Sequence, residues 1–533
     1  MSIFVNNIIL SLDDNEDLVY DIALKSLKLD HSNIKDIRIR KKSIDARREK
    51  IRLVYSVCVN LKDPEFEPKL VKELNKPNIV WRGEGKKEGE INTDELTLIK
   101  RPVIVGFGPA GIFSALKLAK AGLRPIVLER GKDIDKRAAD VESFWKGGCL
   151  NTESNVQFGE GGAGAFSDGK LNTGINDENV EYVLKTFYEH GAKENILINT
   201  RPHVGTDILR KVVKSIRREI INLSGEIRFY AKVSDIIIKN SKVTGVKLSD
   251  GEVIETDVLI LALGHSARDT IEMLYNRGFM IIQKPFSAGV RLERPQKDID
   301  RAIYGKYAGH PKLPPAEFKL SYREGTRGVY TFCMCPGGVV VPASSEEGGV
   351  AVNGMSYSDR AGENANAAVV VSVLPEDFES SHPLAGFEFQ RNLERLAFEA
   401  GGRNYYAPVQ CARDFIDGSI SKSFKDVLPT YSIGTRFCDL NNILPTFICE
   451  MIKKGLNNFD KKLDRFNSKK GLLTGVETRT SSPVRICRDE NMMAIGIMGV
   501  YPVGEGAGYA GGIVSAAVDG IKASNEIIKK FKI

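Results

Sequence analysis

The stretch 101–130 constrains the fold of this chain more than any other part of its sequence. It runs RPVIVGFGPAGIFSALKLAKAGLRPIVLER, which is an apolar strand, a glycine-rich turn, a helix and a second apolar strand. Within the turn, Gly106 permits a tight bend, Gly108 allows a ligand to touch the backbone, and Gly111 allows the helix to pack closely on the strand. The start of the helix offers free N–H groups and the positive end of its dipole. The segment predicts a Rossmann-type pyrophosphate site that contains Gly106, Gly108, Pro109, Ala110 and Gly111.

The residue that ends the second strand narrows the choice of dinucleotide. Glu129 is placed where a carboxylate can accept hydrogen bonds from both hydroxyls of a ribose. The same negative charge repels a 2′-phosphate, which disfavours NADP at this site. We expect Glu129 and its neighbour Arg130 to belong to the site. The choice between NAD and FAD depends on the rest of the chain.

A later strand begins to favour FAD. Residues 257–264, DVLILALG, are an apolar strand that ends in small residues. This strand resembles the one that brings the chain back beside the cofactor in flavoproteins with two dinucleotide sites. Gly264 and His265, at its end, are therefore expected at the cofactor.

A second glycine-rich run, YPVGEGAGYAGGIVSA over 501–516, opens the last predicted helix, 513–530. In FAD-binding proteins of this class a late Gly-Asp pair holds the ribityl chain through its carboxylate, and Gly504-Glu505 matches it with one extra methylene. A helix that starts near Gly512 and Ile513 would direct its N-terminus at the flavin edge where negative charge develops on reduction. Because NAD enzymes need no such returning tail, the sequence predicts non-covalently bound FAD.

The pattern of strands, helices and glycine turns divides the chain into four segments. Residues 1–95 are predicted to form a small α+β domain that ends in a polar linker from Arg82 to Glu95. Residues 96–286 and 461–533 are predicted to be the two parts of the FAD-binding domain, and 287–460 to be a β-rich lobe that covers the flavin. The predicted fold class is α/β: a Rossmann-type domain, a mixed or antiparallel second lobe and a small N-terminal domain.

Bulk composition limits the surroundings and the partners. The 76 basic and 69 acidic residues give a net charge of +7, a mild excess that suits an anionic dinucleotide without requiring nucleic acid. The N-terminus lacks a basic leader and a cleavage site, and no apolar run approaches the roughly 20 residues that span a bilayer. The eight cysteines have no disulfide-framework spacing, and the histidines have no metal-ligand spacing. We expect a cytoplasmic protein with reduced thiols and no metal.

Several long strings give the chain a family resemblance. Besides RPVIVGFGPAG, they are SNVQFGEGGAGAFSDGKLNT, LALGHSARDT, FSAGVRLE, CPGGVVVPAS, ETRTSSPVRI and GEGAGYAGG. With these strings the chain resembles a family of bacterial uncharacterised FAD-dependent dehydrogenases, relatives of the ββα glutathione-reductase-like flavoproteins. The resemblance implies FAD and the fold over nearly the whole length, but no substrate. It also implies that the loop with Gly161, Gly162 and Ala163 lies against the pyrophosphate or the isoalloxazine, a plain surface loop being the alternative.

The sequence offers three weak candidates for chemistry and no firm catalytic residue. Lys170 follows the glycine-rich loop and could stabilise reduced, anionic flavin by its charge. His265 could act as an acid or base near the cofactor, or only cap or pack. Cys333 and Cys335 could be a redox pair, but a disulfide across one residue is strained, so structural packing is favoured, with Cys335 kept as a candidate.

These features predict an FAD-dependent oxidoreductase that passes a hydride through flavin N5 and acts on a small molecule. Outside 101–130, no GxGxxG turn lies within a complete predicted unit of strand, turn, helix and second strand, so a reductant such as NAD(P)H would approach the flavin directly. One alternative is a flavoprotein that acts on RNA, because eight Lys and Arg lie between Arg38 and Arg52. No aromatic residues alternate with these charges, so a solvated face is favoured. A flavin-binding regulator without turnover is the other alternative.

Overall fold

A four-stranded, a five-stranded and a seven-stranded sheet organise this protein, each built from a different part of the chain. They are seen in a computed structural model, in which the structure describes residues 2–47, 50–83, 100–463 and 465–530. Most of the predicted linker from Arg82 to Glu95 lies outside the described residues. No helix in the described ranges is long and apolar enough to cross a membrane.

The N-terminal domain is an antiparallel sheet with two helices, in strand order β2-β3-β1-β4. In its third strand Leu53, Tyr55, Val57 and Val59 are buried, as the alternation of apolar residues predicts. The elements of this domain are β1 (Ser2–Leu10), α1 (Leu18–Leu27), β2 (Ile34–Asp45), β3 (Arg52–Leu61), α2 (Phe66–Leu74) and β4 (Ile79–Arg82).

The next part of the chain forms the Rossmann-type domain, which also carries a small three-stranded antiparallel sheet. Its elements are β5 (Val103–Val105), α3 (Pro109–Lys120), β6 (Ile126–Leu128), α4 (Ile134–Trp145), α5 (Asn179–Glu189), α6 (Asn195–Ile198), α7 (Thr206–Asn222), β7 (Glu226–Arg228), β8 (Val233–Lys239), β9 (Lys242–Leu248), β10 (Val253–Glu255), β11 (Leu259–Leu261) and α8 (Arg268–Asn276).

The remaining elements form the second lobe and the return to the first sheet. They are β12 (Ile281–Gln283), β13 (Phe286–Pro295), α9 (Gln296–Tyr304), β14 (Ser321–Glu324), β15 (Arg327–Cys335), β16 (Val339–Pro342), β17 (Val352–Met355), β18 (Asn364–Val373), α10 (Ala385–Gly401), β19 (Ala407–Cys411), α11 (Ala412–Asp417), β20 (Thr435–Phe437), α12 (Thr446–Lys462), β21 (Leu472–Glu477), β22 (Val484–Ile486), β23 (Val500–Pro502) and α13 (Ile513–Lys530).

The five-stranded sheet is parallel throughout, in the order β23-β11-β5-β6-β7. Leu261 of β11 is in register with Val105 of β5 on one side and with Pro502 of β23 on the other. The loops that follow these three strands therefore leave the sheet at the same edge, which is where open parallel sheets bind ligands. Segments almost 400 residues apart in sequence become neighbours in this way.

The seven-stranded sheet of the second lobe has the order β14-β15-β18-β13-β21-β19-β20. All its pairs are antiparallel except β19 with β20, so the lobe is mixed, as predicted. The sequence assigned 461–533 to the returning part of the FAD-binding domain. The structure instead pairs β21 with β13 in the second lobe, and only β23 and α13 join the parallel sheet.

Candidate flavin site

A cavity of about 700 Å³ lies at the carboxyl edge of the parallel sheet and extends under the second lobe. It brings together the glycine turn after β5, the end of β11, the turn after β23 and the face of β15. Most of the residues that the sequence predicts at the cofactor are in its wall. These are Gly106, Gly108, Pro109, Ala110, Glu129, Arg130, Gly162, Ala163, Gly264, His265, Glu505, Gly512 and Ile513.

The turn after β5 is built so tightly that two of its glycines, Gly106 and Gly111, cannot carry side chains. Gly106 has a φ of 98°, and a Cβ on it would lie 2.3 Å from the carbonyl oxygen of Ala262. A Cβ on Gly111 would lie 2.0 Å from the carbonyl oxygen of Gly106. Both distances are far below van der Waals contact, so only glycine allows β5, α3 and β11 to meet here. The N-terminus of α3 is thereby left open to the cavity.

Three of the residues predicted at the cofactor do not line the cavity themselves but hold the backbone that does. Gly111 packs in the turn described above. Gly161 donates its N–H to the carbonyl oxygen of Phe107 at 2.8 Å, which ties the glycine-rich loop to the first turn. Gly504 donates its N–H to Asp519 of α13 at 2.7 Å. Each of these contacts positions backbone that does line the cavity.

The carboxylate of Glu129 is already engaged by backbone. It accepts N–H groups from Phe107 at 2.8 Å and from Gly131 and Gly159 at 2.9 Å each. Glu129 thus joins three loops at the cavity, a role that the sequence analysis missed. A carboxylate has about four acceptor positions, so one remains for a ligand hydroxyl. Arg130 beside it is held by Glu153 and Asp269 and lies over the ring of Phe158.

A buried arginine that the sequence analysis also missed holds the glycine-rich loop. Arg137 of α4 is fully buried and donates to the carbonyl oxygens of Asn155, Val156, Gly159 and Glu160 at 2.6–3.2 Å. Burial lowers its pKa to about 9. Four carbonyl oxygens replace the water that the guanidinium loses, and they fix the loop against the cavity.

Another part of the cavity wall is formed by the turn after β23 and the start of α13. The backbone of Gly511, Gly512 and Ile513 lines it, and the first turn of α13 has no acidic residue. Free N–H groups and the positive helix end therefore point at this part of the cavity. Two helix N-termini, those of α3 and α13, thus open on one space.

His265 and Glu505, the predicted neighbours of the flavin chain, lie together in this wall. The Nδ1 atom of His265 is 3.4 Å from the carboxylate of Glu505. The ring is buried, and its Nε2 has no hydrogen-bond partner among the described residues. A buried ring nitrogen without a partner is costly, so a bound molecule is expected to supply one.

Arg479, from the ETRTSSPVR string, lines the cavity and is held from behind. Glu394 accepts from Arg479 at 2.8 Å, from Arg268 at 2.9 Å and from the hydroxyl of Thr478 at 2.7 Å. Burial opposes ionisation of Glu394, but the two guanidinium groups outweigh it and hold the pKa of the carboxyl well below its usual range. The ionised Glu394 fixes Arg479 at the wall.

Lys170 lines the cavity as part of a compact charged cluster. Its Nζ is 2.7 Å from Asp168, which also contacts Arg360 at 2.8 Å, and 3.6 Å from Glu317. Burial opposes the charge of Lys170, but Asp168 and Glu317 outweigh it and raise the pKa of the lysine. The ammonium is therefore held charged beside the cavity.

The two cysteines of β15 are placed differently from one another. Cys333 lies in the cavity wall, whereas Cys335 is fully buried behind it. Cys335, the thiol named from the sequence, does not reach the cavity. Cys333 does.

The residues present fit FAD. Gly264 and Gly512 line the cavity, and a Cβ on either would meet no close protein atom, so the backbone there is open to a ligand. The N-termini of α3 and α13 both border this space, and His265 in its wall has an unpartnered ring nitrogen. A diphosphate suits the N-terminus of α3, and an isoalloxazine that gains negative charge on reduction suits that of α13. Fold and site together define a flavoprotein with one Rossmann-type dinucleotide site in the described residues.

Comparison with known proteins agrees with this class. Residues 100–273 match the pyridine nucleotide-disulphide oxidoreductase family model, and 285–480 match that of the FAD-dependent protein C-terminal domain. Residues 2–60 match a domain of unknown function. An uncharacterised protein of Clostridium beijerinckii is 48% identical over 100% of this chain and 99% of its own length. The chain belongs to the same family as that protein, a family of FAD-dependent oxidoreductases.

Solved structures of similar fold are much more distant. Glycine oxidase from Bacillus cereus has 11% identity and a TM-score of 0.35, with 81% of this chain and 95% of that chain covered. L-proline dehydrogenase from P. horikoshii has 13% identity and a TM-score of 0.33, with the same coverage. These likenesses are too weak to indicate a substrate.

Proposed function

We propose that this enzyme binds FAD across the cavity, with the pyrophosphate at the N-terminus of α3 and the flavin ring at that of α13, and oxidises a small-molecule substrate. The observation that carries the proposal is the convergence of the turns after β5 and β23 on one cavity. Glu129 and Glu505 are proposed to hold the ribose and the ribityl hydroxyls. Bound FAD supplies the hydride acceptor, N5 of the flavin.

The chain's own residues are proposed to tune the flavin and shelter the substrate. The start of α13 and the charged Lys170 place positive potential where reduction adds negative charge. His265, steadied by Glu505, can hold or move a proton at Nε2. The seven-stranded sheet closes the cavity through β15 and keeps water from the reacting atoms.

The electron donor is proposed to reach the flavin directly. In the described ranges one parallel sheet carries a dinucleotide turn, and the second lobe is a mixed sheet without one. NAD(P)H, if it is the reductant, would therefore share the open end of the cavity with the substrate. The eight cysteines are all unpaired, which favours a reducing compartment such as the cytoplasm.

An RNA-directed role is less well supported. Two cations of the basic N-terminal stretch are engaged by the protein itself, because Arg40 pairs with Glu181 at 2.6 Å and Lys42 pairs with Glu16 at 2.7 Å. A non-catalytic regulator is also disfavoured, since a charged lysine and an unpartnered imidazole in a cofactor cavity serve chemistry rather than binding alone.

Anaerobic stopped-flow reduction tests the proposal. The flavin-loaded protein is mixed with NADH, with NADPH and with small molecules that co-purify with it, and flavin bleaching is followed. We expect at least one of these to reduce the flavin within seconds and an added acceptor to restore the colour through repeated cycles. A flavin that only light can reduce, and that supports no cycle with any acceptor, would favour the regulator instead.

A further inference from the structure

The strand that meets the cavity, β15, ends in two cysteines on an irregular piece of backbone. The pairing of β15 with β18 shifts register between Phe332 and Cys335, and Cys333 has a φ of 43°. A left-handed φ is uncommon for a residue with a side chain, and such strain gathers at functional sites. The thiol of Cys335 donates to the carbonyl oxygen of Cys333 at 3.3 Å across this bulge.

Charged groups on three other segments face the pair. The Nη1 atom of Arg291, on β13, is 3.8 Å from the sulfur of Cys335 and 3.3 Å from the carbonyl oxygen of Cys333. Glu477 of β21 holds that guanidinium at 2.8 Å. Lys170 and Asp168, which follow the glycine-rich loop, line the same cavity as Cys333.

The pKa values of the two thiols are shifted in opposite directions. The neighbouring thiol of Cys335 lowers the pKa of Cys333, and the positive charges of Arg291 and Lys170 lower it further. Burial and the negative charge of Asp168 act in the opposite direction but do not outweigh them. The pKa of Cys335 is raised, by its hydrogen bond with Cys333 and by burial. Cys333 is thus the nucleophilic sulfur, and it is the one in the cavity wall.

We infer that Cys333 and Cys335 are a redox-active dithiol that exchanges two electrons with the flavin. The inference rests on the proposed function, since FAD is the electron acceptor. In the oxidative direction both S–H bonds break and one S–S bond forms. The two electrons and one proton pass to the flavin, and the second proton passes to solvent. The reverse step uses the same atoms and lets the reduced flavin open the disulfide.

The spacing of the two cysteines suits a disulfide that forms and breaks during turnover rather than a permanent structural disulfide. A disulfide that closes across Met334 alone is strained, and strained disulfides are the more readily reduced ones. It would also close too short a loop to stabilise the fold much. The same strain that argues against a structural disulfide therefore favours a catalytic one.

An anaerobic dithionite titration of the oxidised, FAD-loaded protein tests the inference. The flavin takes two electrons and an oxidised cysteine pair takes two more, so the wild type is expected to consume four electrons per flavin. Cys333→Ser is expected to consume two. Cys149→Ser, at an exposed cysteine outside the cavity, is the matched control and is expected to consume four. A wild type that consumes two electrons would overturn the inference.

A mass measurement on the wild type keeps the test independent of how the variant folds. Trypsin releases 328–360, which contains Cys333 and Cys335 and no other cysteine. After oxidation this peptide should be two hydrogens lighter and resist iodoacetamide. Photoreduction of the flavin should make both thiols alkylatable, and protein stripped of FAD should not respond. Thiols that are alkylated equally in every state would contradict the inference.

The thiolate gives a third readout. In the reduced protein, the alkylation rate of Cys333 should reach half its maximum at a lower pH than in the isolated peptide 328–360, and equal profiles would count against the pair. Failure of the proposed function looks different from failure of this inference: the purified protein would then hold no flavin at all, whatever the state of its thiols.

Discussion

At the residue scale, Gly106 and Gly111 are fixed by backbone that has no room for a methyl group. Their neighbours are carbonyl oxygens of the protein itself, so a substitution forces the sheet apart before any ligand is considered. The close packing that the GxGxxG spacing predicts is what the structure has. The sequence could specify it because the motif encodes a local turn.

We predict that Gly106→Ala lowers the free energy of unfolding by about 1–3 kcal/mol and abolishes flavin retention, because it adds a clash to a strained φ. Urea unfolding and the flavin-to-protein ratio measure both effects. Gly174→Ala is the control, since a Cβ there meets open space at an ordinary φ. Retention of flavin by Gly106→Ala at the wild-type ratio would refute the proposed role of the turn.

Glu394 gives a prediction with a defined pH dependence. Its folded-state pKa is lowered by Arg268 and Arg479 against the effect of burial, so its stabilising contribution is full above the ordinary value of 4.5. That contribution is lost as the pH falls through the lower folded-state value.

Glu394→Gln is therefore expected to cost about 3–5 kcal/mol near neutral pH, because Arg479 loses its buried counter-charge and Arg268 keeps only Glu346. The difference from wild type should shrink as the pH falls below about 4.5. Denaturant unfolding at several pH values measures it. Glu388→Gln, an exposed acid on the same helix, should change little at any pH. A cost for Glu394→Gln that does not vary with pH would contradict this account.

The partners of the buried charged residues could not be predicted from the sequence. Arg137 and Glu394 are paired with groups that come from distant segments, and no spacing rule relates those segments. A weak signal did exist for Arg137, which falls on the apolar stripe of α4 with Ile134, Val141 and Phe144. A cation on such a stripe is expected to have buried partners.

At the element scale, the start of α13 is the part of the proposed site that we expect to affect the flavin potential most directly. Gly512→Asp places a carboxylate at the helix start, where acidic residues stabilise helices. It also places negative charge beside the proposed flavin edge, which opposes reduction.

We predict that this variant folds normally and has a two-electron midpoint potential lower by about 20 mV, taking roughly 1 kcal/mol for the added charge. Dye-equilibration titration measures the shift. Gly512→Asn has nearly the same shape without the charge and should keep the wild-type potential. Equal potentials for the Asp and Asn variants would place the flavin elsewhere.

Elements with strong local patterns were predicted well. The last helix was expected over 513–530 and is α13 (Ile513–Lys530), and the alternating strand is β3. The assignment of β21 depended on pairing instead. Its sequence, LLTGVE, is a short apolar run that suits either sheet, and only its antiparallel partner β13 decides where it lies.

At the scale of the whole molecule, the N-terminal domain is joined to the Rossmann-type domain by backbone as well as by charge. The N–H of Thr200, a residue of the cavity wall, donates to the carbonyl oxygen of Lys42 on β2 at 3.0 Å. The domain thus contacts a segment that lines the cavity, and this contact favours a structural role for it over nucleic-acid docking.

We therefore predict that the full-length protein shows only weak binding to tRNA. A dedicated docking face would lose about 10³–10⁵ in affinity between about 50 and 200 mM salt, and no such steep dependence is expected here. Fluorescence anisotropy with labelled tRNA measures it. Tight binding that is lost in an Arg38→Ser, Arg47→Ser variant would revive the RNA hypothesis.

One FAD molecule that spans the two glycine turns is the central feature proposed for this protein. The most direct test is acid release of the chromophore from purified, FAD-reconstituted protein, followed by its identification and its molar ratio to the chain. We expect intact FAD, released without covalent attachment, at one molecule per chain. Colourless protein that takes up no flavin, or NAD in place of FAD, would contradict the central claim.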